Sequence, residues 1–293
     1  MEIIPEPEWD ELVTKIQTPG SVTMLIGETD SGKSSLAKYL VRRLVMQRKA
    51  VCYVDADVGQ SSLGLPGTIS LNTFRNEADI ARFVFERMSF VGTINPATNI
   101  AGITATVKRM VDAARSSVDI VLIDTSGLVH GEAGERLKIS KLRAVAPAHL
   151  VAIQKGSELE PILRQCPEMR VHRLSVSRHI APRPVARRVQ YRRNKYRDYF
   201  RTAPLHACVL SPREAPFVYR NVAFAMRRSA FRSGTVIGLD AHDRTIALGI
   251  LEDASDDSIT FASPLPSTKG VRTVVFSDIV FDDERGNNFE RSA

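Results

Sequence analysis

Over the first two hundred residues, apolar and polar positions fall into two alternating rhythms. Short unbroken apolar runs read as buried strands: Val22 to Ile26, Val51 to Asp55, Val118 to Asp124 and Ala148 to Gln154. Between them, apolar residues recur at helical spacing over Ser35 to Val45, Ile100 to Ala114 and Leu137 to Val145. Such alternation predicts an α/β unit, a parallel sheet with helices on both faces. In such sheets ligands bind beyond the carboxyl ends of the strands. After about residue 202 the rhythm shortens. Thr235 to Asp240, Thr245 to Leu251, Ser258 to Phe261 and Thr273 to Phe276 are short apolar stretches divided by turn residues, which predicts a small β-rich C-terminal domain. Pro204, Pro212 and Pro216 mark its entry. The expected division is 1–202 and 203–293, with a polar, frayed stretch from Asp282 to Ala293.

Length and composition agree with two globular domains: 293 residues, 43% hydrophobic and 25% charged. No apolar run reaches the roughly 20 residues that span a bilayer. Met1 to Glu11 is acidic and resembles neither a signal nor a transit sequence. Cys52, Cys166 and Cys208 are far apart and lack metal-ligand spacing, so a cytoplasmic protein is expected. Charge changes the picture more. Arg170 to Arg201 holds eleven Arg or Lys against Asp198 alone, a local +10 that leaves the remainder at −3 against a total of +7. A cationic stretch this concentrated, interleaved with Tyr191, Tyr196, Tyr199 and Phe200, suits phosphates of a nucleotide or a nucleic acid.

Where the first strand meets its helix stands Gly27-Glu28-Thr29-Asp30-Ser31-Gly32-Lys33-Ser34, an uninterrupted G-x-x-x-x-G-K-S phosphate loop that continues into Ser35. Its glycines let successive N–H groups face one centre, and the helix N-terminus adds partial positive charge. Lys33 is expected on the β- and γ-phosphates and Ser34 on Mg²⁺, which makes ATP with Mg²⁺ the expected ligand. The second strand ends in Asp55-Ala56-Asp57-Val58-Gly59-Gln60. Lys33 and Asp57 are 24 positions apart, the length of one helix and a returning strand. A carboxylate there approaches the metal and the γ-phosphate, and is able to take a proton from an attacking hydroxyl.

The phosphate loop with this Asp-x-Asp-x-Gly-Gln resembles the polynucleotide 5′-hydroxyl kinases. Three further stretches carry the resemblance: Gly92 to Asn99 is similar to the family's Thr-Asn turn, Asp124 to Gly131 to its Thr-x-Gly clasp, and Arg193 to Arg197, followed by Asp198-Tyr199-Phe200, to its R-x-x-x-R lid. The resemblance covers roughly residues 20 to 202 and implies a P-loop fold and transfer of the ATP γ-phosphate to RNA or DNA 5′-hydroxyl ends. It implies Lys33 on the phosphates, Asp57 as general base close to Mg²⁺ with Ser34, and a secondary role for Asp55. It further places Gln60, Thr125 and Gly127 on the acceptor strand, and Arg193 and Arg197 over the ATP phosphates. Arg188 and Arg192 offer a second R-x-x-x-R register for the lid, which extends over about 183–201. RNA-processing proteins are implied as partners.

Two departures stand out. Leu128 occupies the place where eukaryotic members carry a base-stacking Trp, and about 20 residues precede the first strand where those members have a large domain. Trp9 in that short segment is expected to pack against the sheet edge. Two other readings compete: a GTPase-like switch, since Asp124 to Gly127 fits D-x-x-G, and an ATP-binding adaptor with little catalysis. Against the switch, the Asn194-Lys195 pair lacks the Asp that guanine recognition needs two residues after Lys; Arg197 stands there.

Overall fold

A computed structural model describes residues 3–227 and 230–281, so the polar tail expected at Asp282 to Ala293 lies outside the described residues. The chain begins with α1 (Pro7–Lys15), followed by β1 (Ser21–Gly27), α2 (Lys33–Met46), β2 (Val51–Ala56), β3 (Thr68–Phe74), α3 (Glu77–Arg82) and β4 (Arg87–Phe90). Then come α4 (Ile100–Arg115), β5 (Ile120–Thr125), α5 (Gly131–Val145), β6 (His149–Gln154), α6 (Glu160–Leu163), β7 (Val171–Ser175) and α7 (Val185–Arg201). The first sheet has the order β4-β3-β2-β5-β1-β6-β7. From β2 to β7 neighbouring strands are parallel; β3 and β4 turn back antiparallel at one edge. That antiparallel edge departs from the all-parallel expectation. Its strands hide in sequence because β3 mixes Thr, Ser and Asn with its apolar residues and β4 is only Arg-Met-Ser-Phe.

Alternate residues of the central strands face opposite layers. Met24 and Ile26 of β1 join Val54, Ile103 and Leu137 in a core beneath α4 and α5, whereas Leu25 joins Tyr53, Leu40 and Trp9 beneath α1 and α2. Trp9 is buried with its ring centroid 5.4 Å from that of Tyr39, so it packs against a helix on the sheet's face. The helix foreseen from Leu137 starts six residues earlier, at Gly131. Its first turns carry Glu132, Glu135 and Arg136, and the apolar stripe begins only after them.

The second sheet comprises β8 (His206–Leu210), β9 (Phe217–Tyr219), β10 (Val222–Ala223), β11 (Thr235–Ala241), β12 (Arg244–Ala254), β13 (Ile259–Ser263) and β14 (Thr273–Val280), in the order β10-β9-β14-β11-β12-β13-β8. Phe217, Phe261 and Phe276 fill its own core. A further core joins the two sheets: Phe90 of β4, Tyr196 and Phe200 of α7, and Val236 and Leu248 of the second sheet are buried together. Hydrogen bonds stitch this seam, among them those from Phe90 N–H to Thr245 Oγ1 at 2.7 Å and from Leu248 N–H to the Tyr199 hydroxyl at 2.9 Å. The β-rich part is thus packed directly onto the strand edge and onto the helix that bears the basic stretch.

Candidate active site

The carboxyl ends of β1, β5 and β2 lie side by side, and each delivers one motif to a common edge. Residues 28–32 form the loop between β1 and α2. Asp30 (φ 56°) and Gly32 (φ 93°) adopt left-handed backbone, which curls the loop into a nest of N–H groups. A Cβ on Gly32 would come within 2.2 Å of Ile180 Cδ1. Gly32, as N-cap of α2, supplies no side-chain cap, so the first-turn amides are left for an anion.

Lys33 is buried at the centre. Its Nζ donates to the carbonyls of Gly27 (2.9 Å) and Glu28 (2.6 Å) and lies 3.3 Å from Ser31 Oγ. Burial pulls its pKa down, and the nearby carboxylates of Asp124 and Asp57 oppose that pull. Next along the helix, Ser34 Oγ donates to Asp124 Oδ2 at 2.5 Å, and the same oxygen accepts from the Tyr53 hydroxyl at 3.2 Å. Asp124 is fully buried and its Oδ1 has no hydrogen-bond partner. Burial above all raises its pKa, with Lys33 opposing. An orphaned carboxylate oxygen beside a serine hydroxyl is an oxygen-only donor set suited to a hard divalent cation such as Mg²⁺. The expected metal pair was Ser34 with Asp57; the carboxylate in contact with Ser34 is Asp124. The signal for it in the sequence is the apolar run Val121-Leu122-Ile123 ending in an acid, which the overlapping clasp motif conceals.

Asp55, also fully buried, organises the turn that follows β2. Its Oδ2 accepts from Ser62 N–H (2.6 Å), Leu63 N–H (2.8 Å) and Ser61 Oγ (3.0 Å), and its Oδ1 from Asp57 N–H (3.1 Å). Burial, followed by the Asp124 charge, pushes its pKa up to about 7. Asp57 is half-buried at the tip of this turn, with Oδ1 accepting from Gly59 N–H and Gln60 N–H, both at 3.0 Å. The Gln60 amide donates to the Gly59 carbonyl at 2.9 Å, and its Oε1 is buried without a partner.

The clasp differs from expectation in one respect. Thr125 is fully buried, its hydroxyl donating to the Leu25 carbonyl at 2.8 Å and accepting from Lys138 Nζ at 2.9 Å, so it faces inward rather than toward an acceptor strand. Gly127 instead abuts the phosphate loop: a Cβ there would lie 2.3 Å from Thr29 N. Gly127→Ala is therefore expected to displace the loop and weaken ATP binding at least tenfold in a calorimetric titration, and unchanged affinity would show that the loop accommodates the methyl. Leu128 is half-buried against the main core. His130 Nε2 meets Glu28 Oε1 and bridges clasp and phosphate loop on the surface.

Helix α7 closes the other side. Arg188 Nη2 contacts Asp30 Oδ2 at 2.7 Å, and Arg183 N–H donates to the same oxygen at 2.9 Å. Tyr191 donates to the Ser61 carbonyl at 2.7 Å and Tyr196 to the Pro66 carbonyl at 2.6 Å, so α7 is fastened to the Asp57 turn as well. At 3.6 residues per turn, Arg193 and Arg197 lie roughly 140° and 180° round the helix axis from Arg188, whereas Arg192 lies roughly 40° from it. Arg197 Nη1 donates to Asn194 Oδ1 at 3.5 Å. The arginine joined to the phosphate loop thus belongs to the Arg188–Arg192 register. Beside it a cavity of about 560 Å³ runs from Thr29 and Asp30 past Gln154 to Ser177 and Ile180.

Residues 27–202 match the family described as the mRNA cleavage and polyadenylation factor CLP1 P-loop. Among relatives, a polyribonucleotide 5′-hydroxyl-kinase of Thermococcus kodakarensis is 38% identical over 62% of this chain and 52% of its own length. One of Pyrococcus horikoshii is 33% identical over 65% of this chain and 52% of its own length. The chain spans about half the length of these curated relatives. Among solved structures, Clp1p in the wild-type Clp1p–Pcf11p complex superposes with a TM-score of 0.72, covering 94% of this chain and 79% of that one at 10% identity, which is a likeness of fold. The match extends over the phosphate loop, the Asp55–Gln60 turn, the clasp and α7, and on that ground the chain belongs to the CLP1 P-loop family.

Proposed function

We propose that the protein is an ATP-dependent polynucleotide kinase that transfers the γ-phosphate to the 5′-hydroxyl end of RNA, with DNA ends as further acceptors. The observation that carries this reading is Asp57. A half-buried carboxylate is held by two amides on the turn next to the phosphate loop, where an acceptor hydroxyl would meet a γ-phosphate. The names of the archaeal relatives support the same reaction.

In this reading the loop amides of residues 28–34 hold the β- and γ-phosphates, and Lys33 moves its ammonium from the Gly27 and Glu28 carbonyls onto them. Ser34 and Asp124 would hold Mg²⁺, which would neutralise charge on the phosphates. The nucleoside occupies the cavity between Thr29 and Ser177, a volume within the usual range for small-ligand sites. Asp57 accepts the proton of the 5′-hydroxyl while the hydroxyl oxygen bonds to the γ-phosphorus. The bond from that phosphorus to the β,γ-bridging oxygen breaks and ADP leaves. Arg188 and Arg192 supply the lid charge, and Arg188 exchanges Asp30 for the transferring phosphoryl group. Gln60 stands on the acceptor side at the Asp57 turn, and Gly127 keeps the clasp close against the phosphate loop. RNA-processing proteins are the proposed partners. No described helix is long and apolar enough to cross a membrane.

The test is direct. With γ-labelled ATP and Mg²⁺, label should appear on a 5′-hydroxyl oligoribonucleotide; label found only in free phosphate would replace the kinase with a hydrolase. Parallel reactions with DNA acceptors and with GTP read sugar and donor preference.

A further inference from the structure

Two lysines are buried behind the site and have no part in the chemistry above. Lys138 and Lys141 stand one helical turn apart on α5, and both are fully buried. Lys138 Nζ donates to Thr125 Oγ1 at 2.9 Å and to the Ser126 carbonyl. Lys141 Nζ reaches the Ala56 carbonyl at 3.5 Å. Ala56 and Thr125 are paired neighbours across β2 and β5, and Thr125 in turn donates to Leu25 of β1. The two ammonium groups thus span the three strand ends that carry the phosphate loop, Asp124 and Asp57.

An ammonium removed from water is costly unless something opposes the loss. A methionine would fill the same space without that cost. Burial pulls the pKa of both amines down: that of Lys141 falls to about 8, with the carboxylates of Asp57, Asp124 and Asp55 opposing, and that of Lys138 falls further because Lys141 and Lys33 add to the effect of burial. We propose that Lys138 and Lys141 are positioning residues, an internal clamp whose hydrogen bonds to Thr125, Ser126 and Ala56 fix the spacing of the Asp57 and Asp124 turns without touching substrate. The clamp accounts for the inward-facing Thr125 hydroxyl, which is the link between α5 and β1. The inference rests on the kinase reading for its rate prediction, but not for its metal prediction.

The experiment uses the full chain with Lys141→Met, Lys138→Met and the milder Lys138→Gln and Lys141→Arg. A Met variant removes one buried amine and leaves its polar partners in place, which is destabilising, so the fold of each variant is checked by circular dichroism first. If one does not fold, the milder variant at that position carries the test. The expected result is a kcat lowered at least 30-fold with KM for ATP and acceptor changed less than threefold, and partial recovery in Lys141→Arg. Mn²⁺ affinity, followed by its paramagnetic resonance signal with ATP present, should weaken at least tenfold in the folded variants. Wild-type kcat together with wild-type Mn²⁺ affinity would overturn the clamp. A wild-type protein that phosphorylates no 5′-hydroxyl end would overturn the kinase reading instead, and the Mn²⁺ titration would then judge the clamp alone.

Discussion

Asp57→Asn should reduce kcat for transfer to a 5′-hydroxyl oligonucleotide by about 10²–10⁴-fold, the usual contribution of a general base. ATP affinity should stay close to wild type. The asymmetry follows from the geometry. Asp57 Oδ1 accepts the Gly59 and Gln60 amides, and an asparagine carbonyl oxygen in the same place keeps both bonds. The turn is held independently by Asp55, so the substitution removes a proton acceptor and little else. Single-turnover quenched-flow measurements with labelled ATP separate the chemical step from binding. An unchanged single-turnover rate would dismiss Asp57 as the base and direct attention to a hydroxyl activated by other means.

The second large effect concerns the lid. Arg188→Ala should slow phosphoryl transfer by about 10³-fold, at the lower end of what a transition-state arginine supplies. Arg197→Ala should cost much less. The reason is the face each presents: Arg188 already lies against Asp30 of the phosphate loop, whereas Arg197 lies about half a turn away round α7. Steady-state kinetics of the two variants side by side decide between the registers. A greater loss in Arg197→Ala would restore the Arg193–Arg197 pair as the lid and make the Arg188–Asp30 contact a resting-state bond.

Much of this site was legible in the sequence because its signals are local. A phosphate loop needs consecutive residues at fixed spacing, and Gly27 to Ser34 follows an apolar strand and opens a helix. The Asp55–Gln60 turn was legible for the same reason. What escaped was set by tertiary geometry. Thr125 belongs to a conspicuous motif, but the pleat of β5 turns its hydroxyl inward. Lys138 and Lys141 looked like ordinary members of a charged helix, since nothing in Leu137-Lys138-Ile139-Ser140-Lys141 says that two lysines are covered. Helical register separates the two lid pairs: R-x-x-x-R occurs twice within residues 188–197, and the docking of α7 on Asp30 and Ser61 brings Arg188 to the phosphate loop. In the fold, the parallel core strands were legible from their apolar runs, and β3 and β4 were not, because β3 mixes Thr, Ser and Asn with its apolar residues and β4 is four residues long.

The seam between the two sheets alters what a fragment of this protein can be. The change of pattern near residue 202 invites cutting the chain there, with the motifs on one side and the β-rich strands on the other. Such a cut would strip cover from Phe90, Tyr196 and Phe200 together. Tyr196 also holds the Pro66 carbonyl, at the end of the loop that presents Asp57. A piece ending at the pattern change would keep the phosphate loop and the Asp57 turn and lose the packing of α7 against the second sheet. The boundary that is clear in the order of residues is thus bridged by a shared core, and a piece ending there is expected to be less stable than the full chain.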